Sequence, residues 1–384
     1  MISKPGLSNN GAIVDFAVIG SGIAGASVAF ELSASGASVI VLEAEDHPGY
    51  HTTGRSAAFY MAAYGNDVVR AITLASKSFY QSPPAGFCEY PLLRPCGAMY
   101  IAREEQLPQL HALYQRVSRL LDNVEIVDKA FVLSKVPELK SDYVAAGFWE
   151  PTSMEIDVAA LLEGYIKFAK RQGVEFVFNA QVKSLQFSRE HWVIGSSAGQ
   201  YQAKHIINAA GAWGDVIAGL AGARSVGLVP KRRTVCIVKS PDNIDVRGWP
   251  LTLDIDEDFY FKPDGGNILI TPGDETPMEP MDAYPEEIDI ALGVERFQQA
   301  VGIKVNRVLR TWAGLRTFVK DKSPVVGFDS KVPQFFWLVG QGGYGIQMAP
   351  ALSKIAASLA INRGIPQFDT AMRVTADSIS PARI

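Results

Sequence analysis

The sequence predicts an α/β protein: a Rossmann-type domain interleaved with an α+β domain built on a mostly antiparallel sheet. Three observations carry this expectation. A glycine turn, Gly20-Ser21-Gly22-Ile23-Ala24-Gly25, follows an apolar run at 14–19. Strand-like runs that end in small residues recur mid-chain, at 204–208 into Ala209-Ala210-Gly211, and near the end, at 335–339 into Gly340-Gln341-Gly342-Gly343-Tyr344-Gly345. Stretches rich in β signals separate them, above all 226–275, where Pro263-Asp264-Gly265-Gly266 reads as a hairpin turn. Pieces of one nucleotide fold at the start, middle and end imply segments 11–75, 151–225 and 311–384, with 76–150 and 226–310 forming the second domain.

In chain order, the first strand, glycine turn and helix lead to a second strand, Val39-Ile40-Val41-Leu42, and an acid, Glu43. Gly20 permits the tight turn, Gly22 lets backbone approach a pyrophosphate, and Gly25 lets helix and strand pack closely. The helix N-terminus offers N–H groups to phosphates. Glu43 follows Gly25 at about the ~20-residue spacing that places a carboxylate on a ribose hydroxyl. A carboxylate there disfavours NADP and leaves FAD or NAD. Helices are expected at 67–81, 103–121, 157–172, 285–300 and 346–362, and strands at 97–102, 174–178, 181–187, 191–195 and 305–318.

At 384 residues the chain can bury a large core across two domains. Hydrophobic residues make up 48% and charged residues 20%, as in globular proteins. The formal charge of −4 and the absence of a long basic block imply neither nucleic acid nor an anionic membrane as partner. Three cysteines, Cys88, Cys96 and Cys236, form no paired framework and point to a reducing compartment. No convincing signal peptide and no apolar run near ~18 residues is present. A cytoplasmic location is expected, compatible with loose membrane association. His47 and His51 are interrupted by Pro48 and Gly49, so no metal site is expected.

The second glycine cluster decides for FAD. Gly340, Gly342, Gly343 and Gly345 let bare backbone approach a flat ring at the start of the last helix, whose N-terminus stabilises negative charge. Arg55, in Gly54-Arg55-Ser56-Ala57-Ala58, is placed to pair with a pyrophosphate, and Ser56 with Ala57 and Ala58 to line the ring. Arg316, among Leu315 and Phe318, and Arg233 are candidate carboxylate clamps, with Tyr260 as a phenolic donor. Alternation alone does not choose between Arg232 and Arg233. Glu89 by itself reads as a solvated glutamate.

Gly49-Tyr50-His51-Thr52-Thr53-Gly54-Arg55-Ser56-Ala57-Ala58, Pro84-Ala85-Gly86-Phe87-Cys88-Glu89, Pro230-Lys231-Arg232-Arg233, Thr311-Trp312-Ala313-Gly314-Leu315-Arg316 and Gln341-Gly342-Gly343-Tyr344-Gly345-Ile346-Gln347 carry a resemblance over nearly the full length. The chain resembles the FAD-dependent D-amino-acid oxidase and dehydrogenase superfamily, and within it the bacterial catabolic D-arginine dehydrogenases. That resemblance implies a GR2-like FAD-binding domain and a substrate domain on a mostly antiparallel sheet. It implies non-covalent FAD, since no cysteine lies near Arg316. It places Gly20, Ser21, Gly22, Ile23, Ala24, Gly25, Glu43, Ala44, Thr52, Arg55, Ser56, Ala57, Ala58, Val182, Ala210, Gly211, Trp213, Arg316 and Gly342 through Gln347 (Gly342, Gly343, Tyr344, Gly345, Ile346, Gln347) at the cofactor. Arg233, Arg316 and Tyr260 would hold the substrate carboxylate, and the Gly343 carbonyl the α-amino group. Glu89 would meet a distal guanidinium. Tyr64 would form a lid with Glu257 as its partner, and Gln347 would lie near flavin or substrate. Phe59 replaces a histidine of that pattern, Met61 a smaller hydroxylated residue, and Leu251 and Leu253 line the wall. The implied reaction is oxidative deamination of D-amino acids, basic ones such as D-arginine and D-lysine and also apolar ones, by hydride transfer from Cα to flavin N5. The acceptor would be a quinone-type carrier or dioxygen. A glycine- or sarcosine-type amine oxidase and a 2-hydroxy-acid dehydrogenase are the alternatives.

Overall fold

A computed structural model describes residues 12–370 and 373–384. The expected domain start at residue 11, and residues 371–372, lie outside the described part. Two eight-stranded sheets and a small three-stranded one organise the chain.

The first sheet assembles the expected nucleotide fold from distant pieces. Ile13–Ile19 lies between Val39–Leu42 and Gly199–Asn208, parallel to both. Glu175–Val177 extends the sheet beyond Val39–Leu42. Gly199–Asn208 changes neighbour along its length. Its first half pairs antiparallel with His191–Ser196, and its last residues run parallel to Phe335–Val339 through Ile206, Ile207 and Asn208. Start, middle and end of the chain thus deliver three strand ends to one edge, where parallel sheets bind nucleotides. All five residues of Phe335–Val339 are buried, as a strand covered on both faces requires.

Helices Ile23–Ala34, Val158–Arg171 and Gly345–Ala360 cover one face of this sheet, and Asp67–Gln81 packs on the last of them. Their ends follow local chemistry. Asn66 Oδ1 accepts the Val69 N–H at 3.0 Å and Asp157 Oδ1 the Ala160 N–H at 2.9 Å, satisfying first-turn donors. Gly173 ends the second at φ +89, a conformation natural to glycine.

The second sheet runs Val308–Phe318, Val229–Val238, Asn267–Thr271, Tyr260–Asp264, Leu251–Asp254, Ala98–Ala102, Ala146–Glu150, Glu125–Asp128. Only the contact of Leu251–Asp254 with Ala98–Ala102 is parallel, so the expected mostly antiparallel sheet is present. Val308–Phe318 crosses the expected segment boundary at 311 and remains in this sheet. Its register against Val229–Val238 is continuous from Phe318 back to Arg310, so the ladder holds it there. The expected helix over 103–121 is a short 3-10 turn, Glu104–Gln106, followed by Leu107–Val117.

Candidate functional site

A cavity of about 440 Å³ lies where the C-terminal strand ends of the first sheet meet the inner face of the second. At its nucleotide end Gly20 and Gly25 do what their spacing requires. Gly20 has φ +99, and a Cβ there would stand 2.7 Å from the Ala209 oxygen. A Cβ on Gly25 would overlap the Gly20 carbonyl, so the helix can approach the strand only without one. Helix Ile23–Ala34 begins in the cavity wall with no side-chain cap from Gly22. Instead Thr53 Oγ1, from a separate loop, accepts the Ile23 N–H at 3.0 Å.

Glu43 lines the cavity with its carboxylate fixed by protein donors. Oε2 accepts from the Ser21 N–H (2.6 Å) and hydroxyl (2.8 Å), and Oε1 from the Glu45 N–H (3.0 Å). An ionised carboxylate has about four acceptor positions, so one remains for a ribose hydroxyl. Trp213 lies 4.6 Å from His51, whose Nε2 meets Glu45 Oε1 at 2.8 Å. Ala44, Thr52, Ser56, Ala57, Ala58, Val182, Ala210 and Gly211 complete this end. None of Cys88, Cys96 and Cys236 lines the cavity. Bare backbone at Gly20 and Gly22, the acceptor at Glu43 and a second uncapped helix N-terminus at Gly345–Ala360 fit FAD.

Arg55 is a correction. It lines the cavity, but its guanidinium serves the protein. Nη1 donates to the carbonyls of Ala283 (2.7 Å) and Ala313 (3.1 Å), Nε to that of Tyr50 (3.3 Å), and Nη2 pairs with Asp282. Four of its five donor positions are used. It fastens the 282–283 and 313 backbones rather than presenting a fork to phosphate.

The other end holds the candidate clamp. Arg233 faces Gly314 across the ladder, and Arg316 faces Lys231, so both arginines emerge on one side of the sheet. Arg232 points to the other side, among Glu286, Asp289 and Asp274. The alternation that sequence left open is thereby resolved in favour of Arg233. Arg233 Nε donates to the Asp274 carbonyl at 2.9 Å. Arg316 is 8% exposed; its Nη2 donates to the Tyr64 hydroxyl at 2.8 Å, and Tyr64 reaches Glu257 Oε2 at 3.4 Å. Arg316 Nη1 forms no hydrogen bond. Its nearest counter-charge is Glu275 Oε1 at 3.5 Å, which also stands 3.7 Å from Arg233 Nη2. Burial works against the Arg316 charge, but Tyr64, Tyr344, Glu257 and Glu275 outweigh it and hold the guanidinium firmly protonated. Burial likewise keeps the Tyr64 phenol protonated, against the pull of Arg316.

The final glycine turn closes against this clamp. A Cβ on Gly343 would overlap the Arg316 guanidinium, and the Gly342 N–H donates to the Thr317 carbonyl at 2.9 Å. Gln347 is buried; Oε1 accepts the Met61 N–H at 3.2 Å, and Nε2 is left without a partner. Tyr260, Phe59, Met61, Val235, Leu251 and Leu253 line the same end.

Most expected residues therefore meet at one cavity. Ser21 and Gly25 stand just behind its wall, orienting Glu43 and seating the helix. Tyr344 also lies outside it, its ring 4.9 Å from that of Tyr64. Glu89 is the second correction: it is exposed in the segment after Asp67–Gln81 and does not line the cavity. The irregular turn that carries it faces solvent, so nothing brings its carboxylate to a bound side chain. Sequence reasoning missed Thr53, Glu45, Val235 and Glu275; only Thr53 stood in a motif that drew notice.

The fold and the site define a dinucleotide-binding protein whose cavity runs from the glycine turn to two buried arginines. The family model described as FAD dependent oxidoreductase (DAO) matches residues 15–359, and the chain belongs to that family. Its cofactor is FAD. The chain is similar to glycine oxidase from Bacillus subtilis (strain 168), 26% identical over 253 residues, covering 64% of this chain and 65%, just under two thirds, of that protein. It is similar to hydrogen cyanide synthase subunit HcnC from Pseudomonas aeruginosa, 23% identical over 383 residues, with 86% and 88% covered. Among solved structures, L-proline dehydrogenase from P. horikoshii superposes with a TM-score of 0.84 at 20% identity over 97% of each chain. L-amino acid deaminase from Proteus vulgaris gives 0.81 at 15% identity, covering 100% of this chain and 99% of that one. These likenesses show a common fold. Among the described residues, no helix is long and apolar enough to cross a membrane, and no cluster could hold a metal ion.

Proposed function

We propose that this protein oxidises D-amino acids with uncharged, apolar side chains. One observation carries the reading: Arg316, nine-tenths buried, keeps a guanidinium nitrogen without a hydrogen-bond partner at a cavity wall shared with Arg233, Tyr260 and Tyr64. A buried cation with an unused donor is costly unless a ligand completes it. A carboxylate matches that fork.

FAD, when bound, supplies a two-electron acceptor that converts the amino acid to an imino acid, which water hydrolyses to a 2-oxo acid and ammonia. The chain's residues bind and orient. Arg316 and Arg233 hold the carboxylate, Tyr64 and Tyr260 add phenolic donors, and the Gly343 carbonyl accepts from the amine. Fixing the headgroup presents Cα in one orientation, and such positioning is worth about 7–11 kcal/mol in favourable cases. The D preference is supported by the motif resemblance around Arg55 and Arg316. Anaerobic mixing with paired D- and L-amino acids tests it: the D enantiomer should bleach the visible flavin band, and bleaching by the L form alone would reverse the assignment.

The apolar preference is supported by the wall. Phe59, Met61, Leu251 and Leu253 cluster with Tyr64 and Tyr260, and the only acids lining the cavity among the described residues are Glu43 and Glu45, at the nucleotide end. A guanidinium tail would be desolvated without a partner. D-methionine and D-leucine should therefore exceed D-arginine in kcat/KM by about 10-fold or more. Equal values in a dye-coupled assay would remove the apolar wall from the account. The likeness to glycine oxidase makes glycine and N-methyl glycines the first additions to that panel.

A further inference from the structure

Glu150, the last residue of strand Ala146–Glu150, is a fully buried carboxyl that the clamp does not use. Its Oε1 accepts the Ala62 N–H at 2.9 Å, and its Oε2 has no partner. The neighbouring backbone is held by two more buried groups. Gln347 Oε1 accepts the Met61 N–H at 3.2 Å, and Arg70 Nε donates to the Ala63 carbonyl at 3.0 Å. The next residue is Tyr64, whose hydroxyl receives the Arg316 Nη2 bond. Three buried anchors on three consecutive residues thus set where one phenol stands on one guanidinium.

We propose that Glu150 is a positioning residue whose carboxylate fixes the backbone of residues 61–64, and through it the Tyr64–Arg316 contact on which carboxylate binding depends. The inference rests on the reading that Arg316 receives the substrate carboxylate. Arg70 and Gln347 hold the flanking peptide groups whatever the pH, because arginine and amide do not titrate there. Glu150 does. Burial raises its carboxyl to about 7, against the pull of the Ala62 and Ala63 amides, Ser153 and Arg70. The other groups that sense it are Tyr60, Tyr100 and Cys96, from the elements packed around it. Burial drives the Tyr60 phenol and the Cys96 thiol upward, the thiol to about 12, and puts the Tyr100 phenol well above its ordinary range. None of the three changes charge near neutrality, so Glu150 is the titrating member of this set.

The direction follows from the raised value. Glu150's contribution to fold stability is complete in acid and is lost as pH rises through about 7. That loss is the desolvation cost of a buried charge; the hydrogen bond that the Ala62 N–H donates is itself stronger to the ionised form than to the neutral one. Above neutrality the 61–64 backbone is therefore held more tightly and Tyr64 is better placed on Arg316. Below it the anchor weakens.

The test uses 4-methylpentanoate, a carboxylate with no amine to titrate, and the holoenzyme's visible flavin spectrum as the readout of binding. For the wild type, Kd should rise about 3- to 10-fold as pH falls from about 8.5 to about 6. In Glu150→Gln the pH dependence should vanish, because the amide keeps an acceptor for Ala62 and cannot ionise. In Tyr64→Phe binding should be weaker and equally flat, since the anchor then has no phenol to place. A pH-independent wild-type Kd overturns the proposal, as does an undiminished slope in Glu150→Gln. Should Glu150→Gln fail to fold, Tyr64→Phe decides, and a wild-type-like slope there overturns it. Absence of any spectral perturbation at every pH would overturn the clamp reading itself, and this inference with it.

Discussion

Arg316→Met should lower kcat/KM for the best D-amino acid by about 10²–10³-fold, mostly through KM, while the purified protein stays yellow. The expectation follows from where the charge sits. Arg316 is nine-tenths buried, donates to Tyr64, and retains an unpartnered nitrogen at the cavity. Removing one partner of a buried charged pair costs about 2–5 kcal/mol, roughly 30- to 5,000-fold, which brackets the expected loss. Cofactor retention should survive, because the fingerprint turn and Glu43 lie at the other end of the cavity. Arg316→Lys separates charge from shape. It keeps a cation but loses the two-pronged fork and the Tyr64 bond together, so recovery should be partial. Steady-state kinetics with flavin content measured on the same sample checks both. Unchanged kinetics in Arg316→Met would move substrate binding elsewhere.

The second large effect concerns the cofactor. Gly25→Val should yield protein without FAD, or no folded protein at all. Any Cβ at position 25 overlaps the Gly20 carbonyl, and backbone cannot step aside as a flexible side chain can. Forcing the helix outward should cost about 3 kcal/mol, the upper part of the usual overpacking range, because the obstacle is backbone. Gly22→Ala is the informative neighbour. Its Cβ would stand 3.1 Å from Thr53 Oγ1, a side-chain atom able to yield, so flavin should be retained with reduced affinity. Gly36→Ala supplies a background, since its added Cβ meets nothing within 4 Å although its φ of +91 adds strain. The visible absorbance per polypeptide ranks the three. Full flavin content in Gly25→Val would mean that the helix does not depend on this close approach.

What could be read in advance follows the range of the interactions. The fingerprint was legible because strand, turn, helix and acid act within one short stretch, and the structure gives Gly20 and Gly25 the close backbone approaches their spacing implies. The inner sheet was legible as β signals, but its faces were not. Arg232 and Arg233 alternate, and only the strand's partner, with Gly314 opposite Arg233, shows which one the cavity receives. Glu275 could not be read because it lies in the irregular 272–285 stretch, where no period links sequence to position. Glu150 was silent for a related reason: its strand is five residues long, and its importance comes from a loop 88 positions away in sequence. Glu89 and Arg55 illustrate the reverse error. Their residue types suit the assigned roles, but solvent takes one and carbonyl oxygens take the other.

The Gly342 N–H bond to Thr317, with Gly343 lying bare against the Arg316 guanidinium, joins the cofactor's turn to the clamp strand without any intervening side chain. Two ligands that share one seam are thermodynamically linked, and linkage is reciprocal. An acid ligand should therefore slow the escape of FAD into dilute buffer, and apoprotein should lose avidity for that acid by the same equilibrium factor. The seam would let each guest prolong the other's residence.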